Sequence, residues 1–528
     1  MPSSITPREL QEALRAESPL ALIDVREQGE YNATHIPGSS SLPRRLLEFR
    51  FARLVPCPDV QVVLCDDDGQ RGTLAARTLE RFGYSHVSVL DGGINRWASE
   101  GLRTEWGMNV PSKAFGERVE AEYHVPSIEA VELHRRMENG DDVLVLDTRT
   151  PEEYADFCVP GGRSLPGGEL AYRIDELLRK ERDPLVVVNC AGRTRSIIGA
   201  RILQRMGVRN VVSLKNGTAG WTLAGLDLER GADRLDYPEP SPQTRSDAEA
   251  FAVRLIQEDG VRRLSIDALQ SLLVESSECM YLVDVRSRSE YVREHIPGFA
   301  WFPGGQAVQR SDDVVAIRSA LVVFCCDRLV RGAVTASWFR QMGYPRVAVV
   351  DGGVRAWADR GLAVASGEGE NEPFGLAEAE ACAKRISPDD LHARMSAGAS
   401  RPTVLFVDTS RQFAHGHVPG SIWLSRSWLE LHVGRLVPDL TNPVIITDID
   451  GGGAALAASS LAEIGYTDVS VLAGGIRAWR SDGLPLELGL SGVMQPPDDV
   501  VLSGPERSAA ESIEYLRWET ALGPHQLG

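Results

Sequence analysis

Residues 190–196 of this 528-residue chain read Cys-Ala-Gly-Arg-Thr-Arg-Ser, between the apolar run 184–188 (PLVVV) and the helix-periodic segment 197–207 (IIGARILQRMG). A thiol at the carboxyl end of a buried strand, just before a helix, sits where open parallel sheets bind ligands. The backbone N–H groups of such a loop converge into an anion-binding nest, and the helix N-terminus adds about half a positive charge. Gly192 allows the tight turn, and Arg193 and Arg195 bring charges that cannot be titrated away. Such surroundings are expected to lower the Cys190 pKa below its free value of about 8.5 and to favour thiolate. The pattern predicts a nucleophilic cysteine in an oxyanion cradle, with Ala191, Gly192, Arg193, Thr194, Arg195 and Ser196 binding the substrate. A lone cysteine at a strand end is more often structural; two arginines directly behind it argue against that here.

The elements that must hold this loop are written four times. Segments beginning near residues 21, 143, 281 and 404 (ALIDVREQGEYNATHIPGS, VLVLDTRTPEEYADFCVPGG, YLVDVRSRSEYVREHIPGF, VLFVDTSRQFAHGHVPGS) each give an apolar strand, a short helix and a Pro-Gly turn. A second block repeats the loop, and a third carries Trp97, Trp221, Trp357 and Trp479, at steps of 124, 136 and 122 residues. That period is the size of a small domain, not of a solenoid repeat. Short, continuous apolar strands suit a parallel sheet covered on both faces. The expected fold is therefore α/β: four tandem domains, each a small, mainly parallel sheet with helices on both sides. Their bounds are 1–110, 120–232, 260–368 and 382–492, followed by a tail at 493–528 with a helical pattern. Residues 233–247 and 366–375 read as linkers and 106–117 as a more ordered connector.

Composition excludes some functions. A net charge of −18 argues against a nucleic-acid or anionic-membrane partner across the surface, though not against a small basic pocket. No apolar run is long enough to span a bilayer, and the first residues lack an apolar signal core. Eight cysteines in no metal-binding pattern are too few for a disulfide scaffold and fit a reducing cytoplasm. Cys57, Cys279 and Cys382 have no partner by spacing.

The strand-Asp-x-Arg segment, the His-Ile-Pro-Gly turn, the cysteine loop and the Asp-Gly-Gly…Trp ending, repeated in fixed order, resemble the rhodanese family of sulfurtransferases. The resemblance implies that a loop cysteine takes the outer sulfur of thiosulfate, releases sulfite, and passes the sulfur from its persulfide to cyanide or a thiol. No cofactor is implied; a protein acceptor of the sulfur is left open. The repeats differ. Cys190 is the expected catalytic residue. Cys65 with Arg71, and Cys325 with Arg331, read as secondary sites on loops one residue longer, because Cys65 to Gly83 and Cys325 to Gly343 are 18 residues apart against 17 for Cys190 to Gly207. That longer form resembles rhodanese-like phosphatases and arsenate reductases, which gives an alternative of oxyanion chemistry. Two further alternatives are 3-mercaptopyruvate as donor and a scaffold of mostly non-catalytic domains. The fourth repeat has Asp448 in place of a cysteine, and Asp408-Thr409-Ser410 in its opening segment lacks the arginine seen at Arg26, Arg149 and Arg286. His35, His295 and His417 read as turn-stabilising, Cys158 as a small apolar filler, the Asp-Arg pairs (Asp147 with Arg149 and Glu153) as structural, and the tryptophans as helix anchors.

Overall fold

The computed structural model describes residues 2–525 apart from 17, 179–182, 236, 276–277, 370–371 and 398–400. Among these residues lie four five-stranded sheets with one strand order, 1-5-4-2-3 counted within each repeat, and all their paired strands are parallel. In the second repeat the central strands Val143–Asp147, Leu185–Asn189 and Val211–Leu214 run side by side. Their apolar runs are continuous because both faces are covered. In the fourth repeat Leu405 and Ile446 enter one core and Val404, Phe406 and Ile445 the other, the alternation of a pleated strand between two helix layers. The four tryptophans are buried, and each indole N–H donates to the carbonyl six residues later, at 2.8–2.9 Å.

The short helix after the second strand starts on a strong signal. In the second repeat Thr150 caps the helix Pro151–Asp156 and forms a capping box with Glu153, worth about 1 kcal/mol. The expected Asp-Arg pairs are present: Arg149 grips Asp147 through Nε (2.9 Å) and Nη2 (2.7 Å), and Arg26–Asp24 and Arg286–Asp284 repeat the geometry. His35, His295 and His417 stack on Tyr31, Tyr291 and Phe413 and pair with the carbonyls of those residues, which is a turn role.

Contacts divide the chain into two units. One comprises Met1–Met108 with Asn371–Val501, and thus the first and fourth repeats. Inside it Arg44 pairs with Glu430 and Arg426 with Glu48, both bidentate and both buried. The other comprises Asn109–Glu370 with Leu502–Gly528. It holds the second and third repeats and the tail helix Ala509–His525, which packs on the helix Val110–Tyr123 formed by the expected connector. The linker at 233–247 turns into the helix Pro242–Glu258, capped by Ser241. Asp236 of that linker, and Glu370 and Asn371 of the other, lie outside the described residues. Among the described residues no helix is long and apolar enough to cross a membrane.

Candidate active site

Cys190 follows the last residue of the strand Leu185–Asn189, and the helix Thr194–Met206 begins four residues later. The amides of Gly192 and Ser196 point at its sulfur, and the Ser196 hydroxyl lies 3.6 Å from Sγ. The third sequence block clamps this loop from behind. Thr218 N–H donates to the Cys190 carbonyl (2.9 Å) and Ala219 N–H to that of Ala191 (3.1 Å). Gly217 makes the approach feasible: its φ is +54°, and a Cβ there would sit 2.2 Å from the Cys190 carbonyl oxygen. Gly217→Ala is therefore expected to destabilise the second repeat by more than about 2 kcal/mol and to displace the loop. Chemical denaturation compared with wild type checks this, and an unchanged midpoint contradicts it.

Both arginines are engaged. Arg195 is buried and donates to the two oxygens of Glu153 (2.8 and 2.9 Å) and to Gln306 (3.1 Å). Glu153 thus reaches past the expected Asp147–Arg149 pair to the loop. Burial opposes its ionisation, but Arg195, the Thr150 amide and Arg149 hold it down at about 2. Arg193 donates to both oxygens of Glu117 (2.6 and 2.9 Å), to Glu120 and to Asn216 (3.2 Å). Burial pushes Glu117 up to about 7 despite Arg193.

The thiol is not pre-ionised, contrary to expectation. Cys190 is 2% exposed. Desolvation raises its pKa above the ordinary thiol value, and Arg195, Ser196 and Gly192 offset only part of that rise. The cover comes from segments far away in sequence. Glu519 and Tyr515 of the tail helix approach Gly192, and Thr194 Oγ donates to Glu519 Oε1 at 3.1 Å. Lys113 lies over the rings of Tyr515 and Trp518 (4.8 and 4.7 Å), which ties the two covering helices together.

The sheet register corrects the sequence reading of the other loops. Val25, Thr148, Val285 and Val407 donate at 2.9 Å to the carbonyls of Cys65, Asn189, Cys325 and Thr447. Cys65 and Cys325 are therefore final strand residues, equivalent to Asn189, and the loops open with Asp66, Cys190, Cys326 and Asp448. All four loops then have one length, ending at Arg71, Arg195, Arg331 and Gly453. The same register places Phe406, not Asp408, at the position of Asp24, and Asp408 where Arg26 stands. Asp66 fills its own nest, accepting from the amides of Gly69 (2.5 Å) and Gly72 (3.0 Å), as does Asp448 from Gly451 (2.6 Å) and Ala454 (2.9 Å). Burial pushes Cys326 up to about 12, with Asp327 adding to the rise and Arg331 opposing it.

The loop arginine and the helix glutamate come and go together. Arg71 pairs with Glu30, Arg195 with Glu153 and Arg331 with Glu290, all bidentate. In the fourth repeat Gly453 and Gln412 replace both, so no buried charge is stranded. A cavity of about 270 Å³ lies at this loop, lined by Asp408, Asp448, Asp450 and Gly453 together with Arg45, Arg50 and Arg426.

Several residues of the site had no sequence signal beyond helical periodicity: Glu117, Glu120, Gln306, Tyr515 and Glu519. Cys158 packs against Tyr154 and Ala232, as a filler should. Cys57 and Cys279, expected to lack partners, are disulfide-bonded.

A family model described as "Rhodanese-like domain" matches residues 6–100, 129–224, 265–360 and 387–482. A sulfurtransferase of Allochromatium vinosum is 33% identical over 104 residues, which is 20% of this chain and 94% of that protein. A thiosulfate:glutathione sulfurtransferase of Saccharomyces cerevisiae is 34% identical over 93 residues, 16% of this chain and 67% of that protein. The crystal structure of a thiosulfate sulfurtransferase from Pseudomonas aeruginosa superposes with a TM-score of 0.88 at 36% identity, over 98% of this chain and 97% of that one.

Proposed function

The chain belongs to the rhodanese family of sulfurtransferases, and on that premise we propose that it moves the sulfane sulfur of thiosulfate to cyanide or a thiol through a persulfide on Cys190. The Cys190 thiol loses its proton and its sulfur attacks the outer sulfur of thiosulfate. The S–S bond of the donor breaks, its electron pair leaves with sulfite, and Cys190 carries a persulfide. Cyanide or a thiolate attacks the terminal sulfur and departs as thiocyanate or a new persulfide, which returns the Cys190 thiolate. No cofactor is needed, because the cysteine carries the sulfur.

The observation that carries this reading is the seat of Cys190 Sγ beneath the amides of Gly192 and Ser196, with the Ser196 hydroxyl beside it. Among the four loops it is the one headed by cysteine without an acidic neighbour; Cys326 has Asp327, and the other two are headed by aspartate. The transferring domain is the second repeat, 120–232, and the first and fourth repeats, which pack on each other, carry no cysteine at the head of their loops. Oxyanion hydrolysis rested on a longer loop, and the common loop length removes that basis. Steady-state thiocyanate formation from cyanide, with thiosulfate and 3-mercaptopyruvate as rival donors, tests the reading. Turnover on thiosulfate is expected, and turnover on 3-mercaptopyruvate alone overturns it.

A raised thiol pKa also fixes the pH dependence. The neutral thiol dominates at neutral pH, so the reactive thiolate fraction, and with it the single-turnover release of sulfite, is expected to rise about tenfold per pH unit through the neutral range. A rate flat across that range, the behaviour of a thiol already ionised, contradicts the buried, protonated state.

A further inference from the structure

Any anionic donor reaching Cys190 needs hydrogen-bond donors for its negative end, and most side-chain donors of the loop are spoken for. Arg195 is bound by Glu153 and Gln306, and Arg193 by Glu117, Glu120 and Asn216. What remains is the buried Arg195 Nε–H, which has no partner, and the loop rim at Gly192 and Thr194, where the helix Thr194–Met206 presents the positive end of its dipole. A carboxylate of the chain itself stands there. Glu519 is 1% exposed, its Oε1 accepts from Thr194 Oγ at 3.1 Å, and its Oε2 has no hydrogen-bond partner although it is buried. That Oε2 lies 3.4 Å from where a Cβ would stand on Gly192. A buried, half-satisfied carboxylate oxygen is costly unless its surroundings are positive, which is what an anion seat supplies.

We infer that Glu519 occupies the seat of the donor's anionic group, so that the tail helix Ala509–His525 gates Cys190 and an incoming anion must exchange with Glu519. The inference rests on Cys190 being the reacting thiol. Glu519 is a gating residue: it acts by charge and place and takes no part in bond making. Two roles of the helix separate on this view. Its bulk, anchored by the buried Trp518, excludes every reagent alike. Its carboxylate discriminates against anions in addition.

Alkylation of the full-length protein with iodoacetate and with iodoacetamide distinguishes the two roles without using sulfur transfer. In either reaction Sγ loses its proton to solvent, forms an S–CH2 bond and displaces iodide. Peptide mapping resolves Cys190 from the exposed Cys382, which serves as the internal reference. Glu519→Gln keeps the shape and removes the charge. It is expected to raise the iodoacetate-to-iodoacetamide rate ratio at Cys190 by about tenfold, the loss of one charge repulsion at close range, with no change at Cys382. Trp518→Ala, which loosens the helix, is expected to speed both reagents equally at Cys190. An unchanged ratio in Glu519→Gln overturns the seat, and no acceleration in Trp518→Ala overturns the gate. If the ratio shifts but thiosulfate leaves no sulfur on Cys190, the gate stands and the sulfur-transfer reading falls.

Discussion

Cys190→Ser is expected to lower thiocyanate formation from thiosulfate and cyanide by on the order of a thousandfold or more, because a hydroxyl in the same place cannot hold the transferred sulfur. The expectation is specific to this cysteine. Cys326→Ser is expected to keep most of the activity: Cys326 shares the loop length of Cys190, but burial and Asp327 hold its pKa up at about 12. Cys65→Ser is expected to behave likewise, since Cys65 is the buried final residue of its strand and burial, with Asp24 beside it, lifts its pKa well above the ordinary value. Both controls are measured at matched protein concentration and pH. Full activity in Cys190→Ser, or its loss in Cys326→Ser, moves the chemistry to another repeat.

The largest effect on stability is expected at Arg331. Its guanidinium is fully buried and meets Glu169 (2.8 Å), both oxygens of Glu290 (2.7 Å each) and Asp327 (2.8 Å). Glu290 is held at about 2: burial opposes ionisation, and Arg331 and Ser287 overcome it. Arg331→Met removes the cation that Glu290 and Asp327 share, with little solvent to replace it, whereas Glu169 keeps Arg173 at 2.7 Å. A loss of about 3–5 kcal/mol is the scale for a buried ion pair with one partner removed. The fourth repeat supplies the control, since it has dropped both members of the equivalent pair, as Gly453 and Gln412. Arg331→Met combined with Glu290→Gln should therefore recover part of the loss, with Asp327, still without its arginine, accounting for the remainder. The shift of the denaturant midpoint measures both. An Arg331→Met protein as stable as wild type contradicts this account of the arginine.

The same pairing shows what the sequence could and could not tell. The α/β class and the fourfold repeat were legible because continuous apolar strands and buried tryptophans recur at domain-sized steps. The seat of the Cys190 sulfur was legible because the loop groups around it lie within seven residues. Loop starts in the other repeats were not. Spacing alone cannot tell Cys325 from Cys326, or Cys65 from the aspartates behind it. The register is fixed by hydrogen bonds from Val25 and Val285 on the neighbouring strand, and a slip of one residue exchanges the face a side chain takes. The state of the thiol was misjudged for a related reason. The arginines beside Cys190 are near in sequence and promise a thiolate. The Glu117 that engages Arg193 and the Tyr515 and Glu519 that approach Gly192 lie dozens to hundreds of residues away, on helices whose sequence does not say what they cover.

Mass spectrometry of the intact protein after thiosulfate treatment, followed by peptide mapping, locates the transferred sulfur. A gain of one sulfur atom per chain is expected, carried by the peptide containing Cys190, removed by cyanide and absent in Cys190→Ser. Sulfur on Cys65, Cys325 or Cys326 with Cys190 unmodified, or a chain whose mass does not change even when Trp518→Ala has loosened the tail helix, would contradict it.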